Sequence, residues 1–312
     1  MGRLIVTVTP NPAYDVSYAT PSLAPGEVHR VSTVHRRPGG KGVNVASVLA
    51  ALGEQVVATG LGTEEFADDV RELGIRVDFV PALPHVRSTV SVFDGERTTS
   101  LLEAGVAPVD PAAAEAALRE RVTALLPDAG CLVVSGSLPP GIAATLPADL
   151  ARIAHEHGIP CLVDTSGDAL AAAAAVPGVA LSPNADELTE LCGSAGTADP
   201  ATAARSLVDA GAGIVFATRG QEGMLVAAPT GCWFVPPVPD VAGNPTGAGD
   251  AAAAAIARGL AGDETPAEIG EDASALAAAA IASPVAGSVD PSLYQTYRVG
   301  VVARPAATED VS

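Results

Sequence analysis

The sequence predicts an α/β protein with a mostly parallel central sheet, helices on both faces of that sheet, and a small separate β-sheet. Three observations lead to this prediction. From residue 43 onward, segments with helical periodicity alternate with short apolar runs. The run Cys131-Leu132-Val133-Val134 is apolar throughout, which is typical of a strand buried on both faces. Two stretches, 13–37 and 87–105, carry β-like patterns with no helix to cover them.

The alternation starts with a strand at residues 4–9, an apolar run that Pro10 ends, and a helix that ends before Gly53. The further predicted strands cover residues 56–59, 75–80, 131–134, 161–164, 179–182 and 214–217. The further predicted helices cover residues 65–73, 112–126, 147–157, 168–175, 185–192, 200–210, 248–260 and 266–282. This order predicts parallel strands that are joined by helices.

The two exceptional stretches are predicted to form a lid or a dimer contact. Residues 89–93 pair naturally with residues 98–102 across Asp94-Gly95, which is a hairpin turn signal. The alternative is a β-ribbon exposed to solvent. We expect one domain over residues 1–312 with both lid segments inserted in it.

Composition limits the possible partners. The 312 residues include 17 basic and 36 acidic side chains, so the formal charge is −19. Such a field repels phosphate, so we expect neither a nucleic-acid nor an anionic-membrane partner, and any anionic ligand must be held by a local cluster of donors. Hydrophobic residues make up 48% of the chain, which excludes intrinsic disorder. Lys41 is the single lysine.

We expect a cytoplasmic protein. The first apolar run is too short for a signal peptide, and Ala-rich runs such as 251–257 are far shorter than a bilayer span. The four cysteines are widely spaced without a C-x-x-C pair, which favours free thiols in a reducing compartment.

The strongest motif is the segment 244–250, Asn-Pro-Thr-Gly-Ala-Gly-Asp, placed just before an Ala-rich helix. Its glycines allow several N–H groups to point into one cavity, where the helix dipole adds positive potential. Asp250 beside such an anion nest fits a general base that accepts a proton from an attacking hydroxyl. The alternative is that Asp250 only caps the helix.

Two further motifs place polar groups at turns. Residues 38–44, Pro-Gly-Gly-Lys-Gly-Val-Asn, form a second Gly-rich turn at a helix start, which differs from a Walker A loop because Gly follows Lys41. Residues 9–15 end a buried strand in a stiff turn that aims Asp15 over the carboxyl edge of the sheet, where open α/β folds bind ligands. Each motif alone is also compatible with an ordinary loop.

The chain resembles the ribokinase-like carbohydrate kinases of the phosphofructokinase B group, in the branch of 1-phosphofructokinase and tagatose-6-phosphate kinase. The resemblance runs from the first strand to about Asp290 and rests on seven motifs in the family's order. They are T-x-T-P-N-P-A-x-D at 7–15, P-G-G-K-G-x-N-V-A at 38–46, S-G-S-L-P-P-G at 135–141, V-D-T-S-G at 163–167, P-N-A-D-E-L at 183–188, T-R-G-x-E-G at 218–223 and P-T-G-A-G-D at 245–250. It implies a three-layer αβα fold with a small β-sheet lid, ATP as co-substrate and Mg²⁺.

The resemblance also implies roles for individual residues. Asp250 would be the base, and Gly247, Ala248 and Gly249 would donate N–H groups to the transferring phosphoryl group. The sugar site would comprise Asp15, Gly39, Gly40, Lys41 and Asn44, with Arg30 and Arg87 as candidates for the substrate phosphate. The nucleotide site would comprise Asn184, Thr218, Gly220, Gly223, Thr246 and Gly249, with Glu187 organising Mg²⁺ through its waters. Asp164 would face the same crevice, unless it is a helix cap or a turn acid.

Three positions depart from the family's pattern. Relatives often carry Lys at Ser182, Arg at Ser47 and Asn at Leu102. The implied activity is ATP-dependent phosphorylation of a ketohexose phosphate, with fructose 1-phosphate to fructose 1,6-bisphosphate as first choice. The alternatives are a tagatose 6-phosphate or fructose 6-phosphate kinase, a kinase of an unphosphorylated sugar or nucleoside, and a non-catalytic sugar-binding protein. Separately from the resemblance, the lid stretches have apolar faces (Val90, Val92 and Leu101) with no helix to bury them, which predicts a homodimer that forms through the lid.

Overall fold

The computed structural model describes residues 3–32, 34–193, 199–283 and 287–306. Residue 33 of the first predicted lid segment, and both ends of the predicted 1–312 domain, lie outside the described residues. Within these ranges the chain forms a ten-stranded sheet, helices on both of its faces and a separate four-stranded sheet, so the predicted fold class is confirmed.

The large sheet has the strand order β14-β13-β12-β11-β10-β9-β8-β1-β4-β5. Its strands are β1 (Leu4–Thr9), β4 (Val56–Leu61), β5 (Arg76–Val80), β8 (Ala129–Ser135), β9 (Cys161–Asp164), β10 (Ala180–Leu181), β11 (Ile214–Thr218), β12 (Met224–Ala228), β13 (Gly231–Val235) and β14 (Arg304–Pro305). Neighbouring strands run parallel along the part of this order from β11 through β10, β9, β8, β1 and β4 to β5. At the other end of the order, β12, β13 and β14 add an antiparallel edge. The central strands β4 and β8 are buried throughout, and for β8 the apolar run at residues 131–134 predicts this burial.

Helices cover both faces of this sheet and bury two hydrophobic clusters, one on each face. The helices are α1 (Lys41–Ala51), α2 (Glu64–Glu72), α3 (Pro111–Leu125), α4 (Leu146–Glu156), α5 (Gly167–Ala174), α6 (Ala185–Cys192), α7 (Pro200–Asp209), α8 (Ala248–Ala261), α9 (Pro266–Ile281) and α10 (Pro291–Arg298). The Ala-rich helix α8 packs against both α1 and α9, since small side chains permit close approach of helices. None of the helices in the described ranges is long and apolar enough to cross a bilayer.

The small sheet has the order β3-β2-β6-β7, and we call it the lid. Its strands are β2 (Ala13–Ala19), β3 (Val34–Gly39), β6 (Arg87–Phe93) and β7 (Thr98–Leu102). The predicted hairpin is confirmed, because β6 and β7 pair antiparallel with Phe93 opposite Thr98. Within the described part of the first lid segment, the residues between β2 and β3 form turns and irregular backbone.

Candidate active site

A cavity of about 480 Å³ lies between the carboxyl ends of the parallel strands and the lid. Its walls include loops that follow the central strands and the first turns of α1, α6 and α8. Of the predicted site residues, those that line it are Asp15, Gly40, Lys41, Asn44, Arg87, Asp164, Asn184, Glu187, Thr218, Thr246, Gly247, Gly249 and Asp250. Parallel strands present their carboxyl ends at one sheet edge, which is why motifs far apart in sequence meet here.

Asp250 lies in the first turn of α8 and does not cap that helix. The N-cap residue is Gly247, whose φ of 90° is in the left-handed region, and no side chain caps the helix. Asp250 is buried, and its Oδ2 accepts a hydrogen bond from Asn44 Nδ2 at 3.1 Å. Burial raises the pKa of Asp250 to about 7, Asp164 and Asp15 add to the rise, and Lys41 and Asn44 oppose it. A carboxyl group with this proton affinity can accept a proton at neutral pH.

Asn44 joins Asp250 to the lid. Its Nδ2 also donates to Asp15 Oδ2 at 3.1 Å, so one buried amide bridges two carboxylates from opposite sides of the cavity. Asp15 Oδ1 accepts a second hydrogen bond from Thr89 Oγ1 at 2.6 Å. A Cβ at Gly39 would lie 2.2 Å from Asp15 Oδ2, so a larger residue there would displace the Asp15 carboxylate from this position. Thr89 is a site residue that the sequence motifs do not indicate, because it follows Arg87 in an ordinary strand pattern.

Lys41 begins α1 and forms an ion pair with Asp164, with 3.0 Å between Nζ and Oδ1. Asp164 Oδ2 accepts from Ser135 Oγ at 2.8 Å, so both carboxylate oxygens have partners. The Asp164 carboxylate, with smaller contributions from Asp250 and Glu187, raises the pKa of Lys41 and keeps it cationic. Asp164 caps no helix, since α5 begins after Ser166. It holds the single lysine in the cavity.

The two candidate arginines have different positions. Arg87 lines the cavity at the start of β6, where Nη1 donates to the Glu103 carbonyl at 2.6 Å and Nη2 to the Asn11 carbonyl at 3.3 Å. Arg30 is exposed, lies in the irregular stretch between β2 and β3, and is not among the residues that line the cavity. The structure therefore brings Arg87 and Lys41 together with Asp15, and it does not bring Arg30 to them.

Asn184 and Glu187 form a reciprocal capping box at the start of α6. Asn184 Oδ1 accepts from the Glu187 N–H at 2.9 Å, and Glu187 Oε2 accepts from the Asn184 N–H at 2.9 Å. Among the described residues no group of three or more His, Cys, Asp or Glu side chains forms a metal cluster. Mg²⁺ in proteins usually binds one or two carboxylates and keeps several waters. The Glu187 carboxylate, which lines the cavity beside Asn184, fits a Mg²⁺ that is held through its waters.

A second cavity of about 390 Å³ adjoins the first at the start of α8. Thr218 and Gly249 line both cavities, and Gly220 and Gly223 line the second. Its remaining walls are mainly apolar and come from the 237–245 loop and α9: Pro237, Val238, Val241, Ala277, Ala278 and Ile281. The sequence motifs miss these residues, because apolar side chains on a loop and on an Ala-rich helix carry no signal that separates them from core.

Two of the three positions that depart from the family's pattern line the first cavity: Ser182 from the end of β10 and Leu102 from the lid. The third, Ser47, lies on α1 about one turn after Asn44, and its Oγ accepts a hydrogen bond from Arg37 Nη2 at 3.0 Å.

Comparisons with known proteins agree with this geometry. A family model described as pfkB family carbohydrate kinase matches residues 8–293. Phosphofructokinase-2 from Escherichia coli, in its potassium complex, superposes with a TM-score of 0.87 at 28% identity over 96% of this chain and 99% of that one. The same enzyme in complex with fructose 6-phosphate gives a TM-score of 0.85 at 28% identity over the same shares. A possible 1-phosphofructokinase from Thermotoga maritima shares the fold, with a TM-score of 0.84 at 22% identity over 97% of this chain and 100% of that one.

Proposed function

The chain belongs to the pfkB family of carbohydrate kinases, and we propose that it transfers a phosphoryl group from ATP to a hydroxyl group of a ketohexose phosphate. Fructose 1-phosphate, converted to fructose 1,6-bisphosphate, is our first choice. One observation carries the catalytic part of this proposal. A buried carboxyl group, Asp250, lies in the first turn of a helix whose N-terminal N–H groups are not capped by any side chain.

In this proposal Asp250 accepts the proton of the attacking hydroxyl group. The N–H groups at Gly247 and Gly249 then donate to the transferring phosphoryl group, where negative charge is stabilised by the helix N-terminus. The Ala248 N–H, the third donor that the resemblance implies, donates to the Pro245 carbonyl at 3.2 Å in this structure. Asn44 holds Asp250 and Asp15 in fixed relation, so a sugar bound at Asp15 presents its hydroxyl group to the base. Positioning and electrostatic stabilisation supply most of the catalysis in phosphoryl transfer.

The second cavity is proposed as the site of the nucleotide base. Its apolar walls suit an aromatic ring, and it meets the first cavity at Gly249, where the phosphates would pass toward α8. Mg²⁺, when bound, would supply positive charge that neutralises the nucleotide phosphates. Glu187, and Asn184 beside it, are the residues proposed to hold that ion through its waters and to fix its place relative to the nucleotide.

A phosphorylated substrate is supported by two cations that line the cavity, Arg87 from the lid and Lys41 from α1. Arg87 is anchored by two carbonyl groups, so its guanidinium is already oriented, and Lys41 is anchored by Asp164. The chain carries a charge of −19, so a dianionic sugar needs such local cations. Fructose 6-phosphate is the second candidate, because it is the sugar phosphate bound in a structure of E. coli phosphofructokinase-2, an enzyme that is 28% identical to this chain.

A coupled kinase assay over a panel of acceptors tests the proposal. The panel contains fructose 1-phosphate, tagatose 6-phosphate, fructose 6-phosphate, free fructose, ribose and a nucleoside, each with ATP and Mg²⁺. We expect the highest kcat/KM with fructose 1-phosphate. Faster turnover of a free sugar or nucleoside than of every sugar phosphate would overturn the phosphorylated substrate, and no turnover of any acceptor would overturn the kinase.

We also propose that the lid forms a homodimer. Val34 on β3 and Leu101 on β7 are 52% and 62% exposed, and apolar residues on an open sheet usually find a partner. One relative, phosphofructokinase-2 from E. coli, has a tetrameric inhibited form. Light scattering at micromolar concentration should give the mass of two chains, and a stable monomer would contradict this proposal.

A further inference from the structure

Arg37 is a cation that lies next to the candidate active site but does not line either of the two cavities described above. It belongs to the lid strand β3, where it stands opposite Asp15 of β2 in the register of the sheet. Its Nη2 donates to Ser47 Oγ on α1 at 3.0 Å, so its side chain links the lid to the main body. Arg37 is half-buried and is not among the residues that line either cavity. It is therefore placed to act on other side chains rather than on a ligand.

The side chains that it acts on are the two bridged carboxylates. Arg37 pairs with Asp15 across the β2–β3 register, and a Cβ at Gly287 would lie 3.0 Å from Arg37 Nη2 and 2.8 Å from Asn44 Oδ1, so the guanidinium lies beside the Asn44 bridge. In agreement with this position, burial lowers the pKa of Arg37 and the charges of Asp15 and Asp250 oppose that change. Two carboxylates joined by the one amide of Asn44 repel each other, so a nearby cation stabilises their ionised forms. Arg37 supplies that cation from the lid.

The other charged groups near Asp250 do not replace Arg37. Lys41 of α1 favours the ionised form of Asp250, but its Nζ is in an ion pair with Asp164 of β9. Asp164 and Asp15 both disfavour that form. Arg87 of β6 also lies near Asp15, but its guanidinium donates to the Glu103 and Asn11 carbonyls. Arg37 is the cation that joins the lid to α1 beside the Asn44 bridge.

Small residues at two further positions, Ser47 and Gly287, leave room for the Arg37 side chain. Ser47 is small enough to receive the guanidinium, and its Oγ also donates to the Val43 carbonyl at 2.9 Å, which fixes the hydroxyl group. At Gly287 a Cβ would lie 3.0 Å from Arg37 Nη2 and 2.8 Å from Asn44 Oδ1, so a larger residue would press on both side chains.

We infer that Arg37 is a positioning residue for phosphoryl transfer, which places a positive charge beside the Asn44-bridged carboxylates of Asp15 and Asp250 and ties the lid to α1. This inference rests on the proposed kinase function. It predicts that Arg37 acts on sugar binding and on proton transfer, and that it leaves nucleotide binding unchanged.

The test compares Arg37→Gln with Arg36→Gln in the full-length enzyme. Arg36 is the matched control, because it is the neighbouring arginine, it stacks on the Tyr14 ring at 3.6 Å, and its replacement removes the same charge. For Arg37→Gln we expect kcat/KM for the sugar phosphate at pH 7 to fall about tenfold, with KM for ATP within about twofold. We expect the acid limb of its pH profile to move up by about half a pH unit or more.

Arg36→Gln should show neither change. A profile of Arg37→Gln that superposes on that of the wild type, at unchanged kcat/KM, would overturn the inference. If the wild type itself phosphorylates no sugar phosphate, the proposed function fails instead, so the two failures are distinguishable.

Rescue adds a second, independent readout. The double variant Arg37→Gln/Ser47→Arg returns a cation to this place from α1, and we expect it to move the acid limb back toward the wild-type position. Should Arg37→Gln not fold, Ser47→Ala removes the acceptor and leaves the charge. It is expected to raise KM for the sugar phosphate several-fold. An unchanged KM in Ser47→Ala would overturn the link between the lid and α1.

Discussion

Among the helices that begin at this cavity, α1, α6 and α8 begin in two different ways. Helices α1 and α8 start after Gly40 and Gly247, whose φ angles are 88° and 90°, and neither has a side-chain cap. Helix α6 starts after Asn184, whose side chain caps it. The first N–H groups of a helix have no partner within the helix, so α1 and α8 leave donors available to a ligand, while α6 uses the Asn184 and Glu187 N–H groups in its capping box.

The comparison between α8 and α6 is closer still, because each carries an acid as its third helical residue. In α6 that acid is Glu187, which turns back and accepts from the Asn184 N–H. In α8 it is Asp250, which turns away from its own helix to Asn44 on α1. Gly247 has no side chain with which to complete a capping box. An acidic side chain at the third helical position therefore serves as a cap in α6 and as a candidate base in α8.

The largest expected effect of breaking this difference comes from Asp250→Asn. The amide keeps the size of the side chain and can still accept from Asn44 through its oxygen, but it cannot accept the substrate proton. We expect kcat to fall by roughly 10²–10⁴ while ATP still binds. The check is steady-state kinetics together with ATP binding by calorimetry. A variant with near wild-type kcat would contradict the assignment of the base.

The second effect is the dependence on pH. The pKa of Asp250 is raised to about 7, so the carboxyl group becomes protonated and unable to act as a base as the pH falls through that value. We expect kcat/KM to fall about tenfold per pH unit below this point. The stability of the folded state should change in the opposite direction. It should fall as the pH rises from the ordinary range of a carboxyl pKa to about 7, because a buried carboxylate must then carry its charge in the folded state. Asp250→Asn is thus expected to raise Tm more at pH 8.5 than at pH 5.

A wild-type profile that stays flat between pH 5 and pH 8 would contradict the raised pKa. Equal Tm differences between Asp250→Asn and the wild type at the two pH values would contradict the sign of the linkage.

The third effect concerns the open N-terminus of α8. A Cβ at Gly249, its second residue, would meet no atom within 4 Å, and Gly249 lines both cavities. Gly249→Ala should therefore fold with unchanged or slightly higher Tm, since Ala favours a helix. Its methyl group would occupy space needed by the nucleotide phosphates, so we expect KM for ATP to rise about fivefold to tenfold.

Asp186→Ala is the matched control, because Asp186 is the second residue of the capped helix α6. It should leave KM for ATP unchanged. An unchanged KM in Gly249→Ala would show that the phosphates do not approach this turn.

The order of helices and strands around these helix starts could be predicted from the sequence, and so could the meeting of Asp15, Lys41 and Asp250. Hydrophobic periodicity is local, and parallel strands bring their carboxyl ends to one edge. The hydrogen bond between Asn44 and Asp250 spans 206 positions and depends on how α1 and α8 pack, which no local pattern encodes. Arg30 was expected near Asp15, but the turns between β2 and β3 leave it exposed.

Elements outside the helical alternation were missed for a related reason. The hairpin of β12 and β13 and the helix α10 follow or interrupt the βα pattern. For α10 the signal was present in Asp290-Pro291, where Asp290 caps the helix and Pro291 is its first residue.

The smallest expected effect separates the two roles of Glu187. In Glu187→Gln the amide oxygen can still accept from the Asn184 N–H, so the capping box persists and Tm should stay within about 2 °C. An amide is a weaker partner for the waters of Mg²⁺ than a carboxylate, so the Mg²⁺ concentration for half-maximal activity should rise about threefold or more. The matched control is Glu268→Gln in the capping box of α9, where Glu268 Oε2 accepts from the Thr265 N–H at 3.0 Å and Glu268 lines neither cavity. That variant should change neither Tm nor the Mg²⁺ dependence. If Glu187→Gln behaves in the same way, Glu187 is a cap alone, and the metal must be held by the nucleotide phosphates and by other residues at the cavity.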